Sequence, residues 1–224
     1  MAIANLKRLF ARPGPKIGHS IFEFNSPGVG QIIASAGVEF VFLDMEHSGF
    51  DYSETKRAIA GLRVGNIPAL VRPPSKANHH IARALDIGAD GLAMPMVGSK
   101  EEAEFIVSCM KYPPQGHRGV ALALAHDHYT PGDPATVLAA ANRRTAFVAL
   151  IETEDGIRNI DAIAAVKGVD CLWIGHFELL ARHQRPVRPS RLPQGLPRRR
   201  ARREEARQGA GPAGRRPVRL HRPL

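Results

Sequence analysis

Up to Glu178 the chain repeats one unit, a short β-rich run followed by a longer segment of helical spacing; beyond it the repeat stops. Strands are expected at 16–19, 39–44, 67–72, 91–94, 119–123, 146–152 and 169–175. The helices between them have readable ends. Ser99 and Glu102 suggest a capping box, while Gly37, Gly65, Gly88 and Gly168 stand where a helix C-terminus wants a left-handed residue. Such alternation predicts a parallel sheet with helices outside it.

Two closures suit that pattern, an open doubly wound sheet or a (β/α)8 barrel. An open dinucleotide-binding sheet would carry a glycine-rich fingerprint after its first strand, and the nearest segment, SPGVG at 26–30, lacks it. Chemically capable residues recur instead at the ends of different strands: His19, then Asp44, Glu46 and His47, then Arg72, Glu152 and Glu178. A barrel gathers strand ends around one mouth, so the expected fold is an α/β (β/α)8 TIM barrel. Such a barrel typically takes about 250 residues, so this one is expected to be incomplete, with seven strands and the eighth replaced by the tail.

The chemistry of these residues can be read directly. Two carboxylates from separate strand ends, Glu152 and Glu178, suit a hard divalent cation and leave positions for water and a bidentate substrate. His47 can serve as a general base, with Asp44 orienting its imidazole. Arg72 supplies a fixed cation for a developing enolate or alkoxide oxygen. Each has a plainer alternative: a histidine after a strand is more often structural, and Arg72 can simply pair with a neighbouring carboxylate. Their joint occurrence at matching strand ends favours the functional reading.

The segments FVFLDMEHSG (40–49), ALVRPP (69–74), ALDIGADGLAMPMV (84–97), KYPPQGHRG (111–119), LIETEDG (150–156) and GVDCLWIGHFEL (168–179) resemble the HpcH/HpaI aldolase family over roughly residues 3–180. The resemblance implies a metal-dependent, class II carbon–carbon lyase that cleaves a 4-hydroxy-2-oxo acid to pyruvate and an aldehyde through an enolate. It implies a Mg2+, Mn2+ or Co2+ ion held by Glu152 and Glu178, His47 as base aided by Asp44, and Arg72 on the enolate and aldehyde oxygens. Backbone amides around Phe177 and Glu178 would meet the substrate carboxylate, and Asp86 matches a motif aspartate of auxiliary role. A homo-oligomer is also implied. Two positions depart from the family pattern: Leu150 stands where some members carry glutamine, and Glu178 stands where aspartate is usual. Related lyases acting on acyl-CoA esters share the fold.

Other candidates carry less. His79 and His80 fall in a helix and are expected to face solvent or a subunit contact. His126, Asp127 and His128 look like a metal cluster but sit in a loop that varies in the family. Cys109 and Cys171 are far apart in apolar surroundings and read as buried thiols. No apolar run reaches membrane length and no secretory signal is evident, so a cytoplasmic protein without membrane partners is expected.

The break at Glu178 is one of composition. Residues 1–178 carry 17 Lys+Arg against 19 Asp+Glu, whereas residues 179–224 carry 14 Arg, no Lys and two Glu, so the net charge of +10 belongs to the tail. With seven Pro, no aromatic residue and no apolar period, residues 179–224 are expected to be disordered, while 1–178 form the partial barrel. An Arg-rich tail could bind nucleic acid. Arg, Pro, Ala and Gly without Lys is also what a GC-rich gene yields out of frame. Reading residues 182–196 from the last two bases of each codon plus the first of the next permits GINGQFDHPDFLKA, which resembles family sequence at this point. A frame shift near 178–181 is therefore expected, with no nucleic-acid partner. The 224-residue product should then fold poorly and act as an inactive fragment, because an unclosed barrel leaves strand edges unpaired.

Overall fold

The structure, a computed structural model, describes residues 5–182; the expected disorder of the tail and loss of the closing strand lie outside them. Six strands form one sheet: β1 (Gly18–Ile21), β2 (Phe40–Asp44), β3 (Ala69–Arg72), β4 (Gly91–Met94), β5 (Ala146–Ile151) and β6 (Cys171–Ile174). They are paired in chain order and all parallel. The sheet curls as a partial (β/α) barrel. Residues 119–123, expected as a strand, are irregular, so the described residues hold six strands rather than seven. The β-branched and small apolar residues there pair with no strand among the described residues; the segment runs into a 3-10 turn at Ala125–Asp127.

Nine helices connect the strands or flank the sheet among the described residues: α1 (Leu6–Ala11), α2 (Val29–Ser35), α3 (Tyr52–Val64), α4 (Asn78–Asp86), α5 (Lys100–Met110), α6 (Pro134–Arg144), α7 (Glu154–Arg158), α8 (Ile160–Ala164) and α9 (His176–Arg182). Ser99 does cap α5, accepting from Glu102 N at 3.2 Å, but the Glu102 carboxylate accepts from Gly98 N instead of closing the box. The complete capping box is on α3, between Asp51 and Glu54. Gly37, Gly88 and Gly168 are left-handed as expected, whereas Gly65 has φ −84° and the positive φ passes to Asn66. Gly65 is demanded by packing: a Cβ there would lie 2.2 Å from Gly30 O, where α2 crosses α3.

The period of two along each strand divides the core. Val41 and Leu43 on β2, Ala69 and Val71 on β3, Leu92 and Met94 on β4, and Phe147, Ala149 and Ile151 on β5 pack outward with the helices. The alternate residues Phe42, Leu70, Ala93, Val148 and Leu150 face the concave side, where Leu6 and Leu9 of α1 join them. This parity selects what reaches the mouth. Asp44, Arg72 and Glu152 follow Phe42, Leu70 and Leu150 at even spacing and share their inner face. His19 pairs in register with Val41 on the outer face and is exposed, so it does not join them. Cys109 is buried as expected; Cys171 is only half-buried, and both are free thiols.

Two measurements check this packing. Gly30→Ala, whose Cβ would meet Gly61 O at 2.1 Å, should destabilise the fold by about 1–3 kcal/mol in urea denaturation. Lys111 is buried, donates to Asn142 O and Thr145 O at 2.9 Å each, and burial pulls its pKa down to about 8. The unfolded chain binds that proton more tightly, so stability should rise between about pH 8 and the ordinary lysine pKa of about 10.4. Lys111→Met should flatten that rise.

Candidate active site

Three of the expected residues converge through the geometry of adjacent strand ends. Asp44 and Arg72 are cross-strand neighbours in register at the ends of β2 and β3. Arg72 Nε donates to Asp44 Oδ1 at 2.9 Å and Nη2 donates to Oδ2, a two-point pair fixed by the planar guanidinium. Its third nitrogen, Nη1, lies 3.1 Å from Glu46 Oε2. The Asp44 side chain is fully buried and that of Arg72 is 11% exposed.

Asp44 was expected to orient the His47 imidazole. Its Oδ1 accepts instead from the backbone N–H of Glu46 at 2.9 Å and of His47 at 3.3 Å, so it shapes the turn that carries His47. The carboxylate near the imidazole is that of Glu46, 3.7 Å from Nε2. Burial pushes the Asp44 carboxyl up, but Arg72 and the turn N–H groups outweigh it and hold it below the ordinary range. Glu46 goes the other way: burial raises it, Glu152 and Asp44 add to the rise, and Arg72 and His47 offset only part. Burial alone would lower Arg72, yet Asp44, Glu46 and Glu152 together raise it. Glu46 is thus a site carboxylate to which the sequence reading assigned no role. The signal was present in its place two residues after Asp44 and beside His47.

Glu152 follows β5 and is 5% exposed. One of its oxygens, Oε2, accepts from Met96 N at 2.8 Å, and Met96 takes a left-handed φ of 47° after β4. Gly175, at the end of β6, is the only residue type that fits beside it, because a Cβ there would lie 2.4 Å from Glu152 Cγ. His47, Arg72, Glu152, Phe177 and Glu178 line one cleft of about 330 Å3, in which Leu150 also takes part. Phe42 and Trp173 form part of its wall, edge to face with centroids 5.2 Å apart. Phe177 and Glu178 lie on α9 and are exposed.

Asp86 does not line this cleft. It ends α4, ahead of β4 rather than after it, and pairs with Arg118 at 2.5 Å. His80 Nδ1 lies 2.7 Å from Ser75 Oγ and likewise lines no part of the cleft. In the loop, His126 Nε2 contacts Ala121 O at 2.7 Å and Asp127 accepts from the N–H groups of Ala123 and Tyr129, so these side chains brace their own turn.

Among the described residues no group of three or more His, Cys, Asp and Glu is arranged to hold a metal ion. The donor chemistry of the cleft nevertheless fits a hard cation: Glu152 and Glu178 offer carboxylate oxygens in one cleft with room for oxygen ligands from water and substrate.

A curled parallel sheet with acidic, basic and imidazole groups gathered after its strands defines a barrel-type enzyme site. The profile of the family described as HpcH/HpaI aldolase/citrate lyase matches residues 23–191, and the chain belongs to that family. It is 37% identical over 155 residues to a hydroxypyruvate/pyruvate aldolase of Deinococcus radiodurans, covering 69% of this chain and 56% of the relative. It is 35% identical over 157 residues to a 5-keto-4-deoxy-D-glucarate aldolase of Shigella boydii, covering 70% and 60%. The matched region thus spans less than two thirds of these relatives. Among solved structures, an HpcH/HpaI aldolase from Desulfitobacterium hafniense superposes with a TM-score of 0.74 at 30% identity, covering 82% of this chain and 70% of that one. The citrate synthase SbnG superposes with a TM-score of 0.70 at 28% identity, covering 83% and 71%. Among the described residues no helix is long and apolar enough to cross a membrane.

The Asp44–Arg72 pair makes a measurable demand. The depressed Asp44 pKa contributes stability that is present above the ordinary aspartate range and is lost as pH falls through the folded value. Asp44→Asn should cost about 3 kcal/mol at pH 7, since it leaves Arg72 short of its main counter-charge. The denaturation curves of wild type and variant should converge as pH falls below about 4.

Proposed function

We propose that this chain encodes a divalent-metal-dependent aldolase that cleaves a 4-hydroxy-2-oxo acid to pyruvate and an aldehyde. The observation that carries the reading is the meeting of His47, Arg72, Glu152 and Glu178 in one cleft. Family membership supports the reaction class, and the family generally depends on a divalent metal. Of the two relatives compared by sequence, one is a hydroxypyruvate/pyruvate aldolase and the other a 5-keto-4-deoxy-D-glucarate aldolase.

His47 takes the proton of the substrate 4-hydroxyl. The electron pair of that O–H bond forms the aldehyde carbonyl as the C3–C4 bond breaks, and the pair from C3–C4 passes into the enolate of pyruvate. Returning a proton to C3 then completes pyruvate. Arg72 faces the oxygen on which negative charge develops and is kept rigid by Asp44 behind it. Glu46 lies beside both His47 and Arg72 and gives Arg72 a second carboxylate partner. The backbone amides around Phe177 and Glu178 receive the substrate carboxylate, and Asp44 acts as a positioning residue through Arg72. Glu152 and Glu178 would hold Mg2+, Mn2+ or Co2+, whose chemistry is to polarise the 2-oxo and carboxylate oxygens of the substrate. The working enzyme is a homo-oligomer.

Residues 179–224 are read as translated out of frame after one base was gained or lost near residues 178–181. The abrupt loss of Lys and aromatic residues and the family-like string recovered by the shift support this. Resequencing the locus tests it; an intact frame encoding these same residues in related strains would sink the idea.

The activity is tested by assaying pyruvate release from a 4-hydroxy-2-oxo acid with Mg2+ or Mn2+, in the chain as given and with its frame restored. Release should be metal-dependent, higher in soluble yield and rate for the restored chain, and lowered about 10²–10⁴-fold by His47→Ala. A restored, folded protein without metal-dependent pyruvate release would overturn the aldolase reading.

A further inference from the structure

On the outer helical layer, α3 and the turn following Ala125–Asp127 enclose a second cleft of about 470 Å3 that shares no lining residue with the candidate active site. Its rim is cationic. Lys56, Arg57 and Arg63 reach it from α3 and His128 from the turn opposite, and no carboxylate of the described residues lines it. None of those three α3 cations takes part in an ion pair among the described residues. Among the described residues the Arg57 side chain donates to Ser53 Oγ and that of Arg63 to Gly88 O, both at 3.0 Å; Arg63 Nε is buried without a hydrogen-bond partner, and the Asp90 carboxylate acts on Arg63 without forming an ion pair with it. A merely solvated basic helix face has no opposite wall. Here Tyr129 stands across from Lys56, whose Nζ is 5.8 Å from the ring centroid, and Ile59 and Ala125 form a buried apolar floor.

The backbone opposite α3 is held in a costly form: His128 and Tyr129 both take left-handed φ values, 59° and 57°. Cation crowding is felt by the neighbours. Burial lowers His128, and Arg63 and Arg144 lower it further; burial also lowers Arg144, with Arg63 and Arg118 adding to the effect while Asp90 and Asp127 oppose it. A concave site with an apolar floor and convergent cations is the form taken by pockets for small organic anions, and guanidinium groups match the oxygens of phosphate.

We propose that this cleft binds a small organic phosphate, its phosphate on Lys56, Arg57 and Arg63 and its apolar body between Tyr129 and the floor of Ile59 and Ala125. The assignment is independent of the aldolase reading, since its readout is binding at a site remote from the chemistry.

Phenyl phosphate is the probe, titrated calorimetrically at pH 7 and low salt into the 224-residue chain and the frame-restored chain, which share residues 53–129 unchanged. One saturable site per chain is expected. Inorganic phosphate should compete more weakly and benzyl alcohol should not bind. The exposed double variant Lys56→Met/Arg57→Met should weaken phenyl phosphate at least about tenfold, while Lys100→Met, on a basic position of α5 that lines no part of the cleft, should leave it unchanged. Absence of saturable binding in both chains overturns the proposal. So does retention of affinity in the double variant, or an equal loss in Lys100→Met, which would mark a diffuse charge effect. Equal affinity for inorganic and phenyl phosphate would overturn the organic part of the assignment.

Discussion

The two-point contact between Arg72 and Asp44 is the interaction around which the mouth of the sheet is organised. Both charges sit at the ends of neighbouring parallel strands, one fully buried, and each makes the other tolerable there. Removing either would strand a charge in a low-dielectric environment. Because the guanidinium has a third nitrogen, the same group fixes Glu46, and because Asp44 also accepts from two backbone N–H groups, it shapes the turn that presents His47. One ion pair thereby sets the positions of an acid, a cation and an imidazole together.

Glu152 is positioned by a different device. A left-handed Met96 aims its N–H at one carboxylate oxygen, and the missing side chain of Gly175 lets β6 approach the other side. The result is a carboxylate with little freedom at the end of β5, facing the opposite charge of Arg72. Its companion Glu178 is exposed on α9, so the two carboxylates that suit a hard cation differ in how firmly the chain holds them.

The outer cleft obeys the same electrostatic logic with the opposite result. At the mouth, cations are matched by carboxylates from adjacent strands; in the outer cleft, three cations of α3 and His128 of the opposite turn face an apolar floor with no carboxylate among the described lining residues. Unmatched charge in a concavity raises the local concentration of counter-ions. That contrast is what distinguishes a candidate ligand site from an ordinary basic helix face.

The sequence by itself determined the parallel α/β class, the placing of Asp44, Arg72 and Glu152 at strand ends, and the break in composition at Glu178. Those follow from periods of two along strands and from residue type, which are local. Tertiary structure decided the rest. Residues 119–123 have strand-like composition, yet only an available neighbour makes a strand, and the described residues offer none. Asp86 carries the right chemistry in the right motif, but helix α4 ends on the far side of its strand, against Arg118. Glu46 was visible as one more acid after β2, and only the meeting of two strand ends showed that it bridges Arg72 and His47. Contacts between residues distant in sequence depend on the crossings of helices and strands, and no local pattern records those.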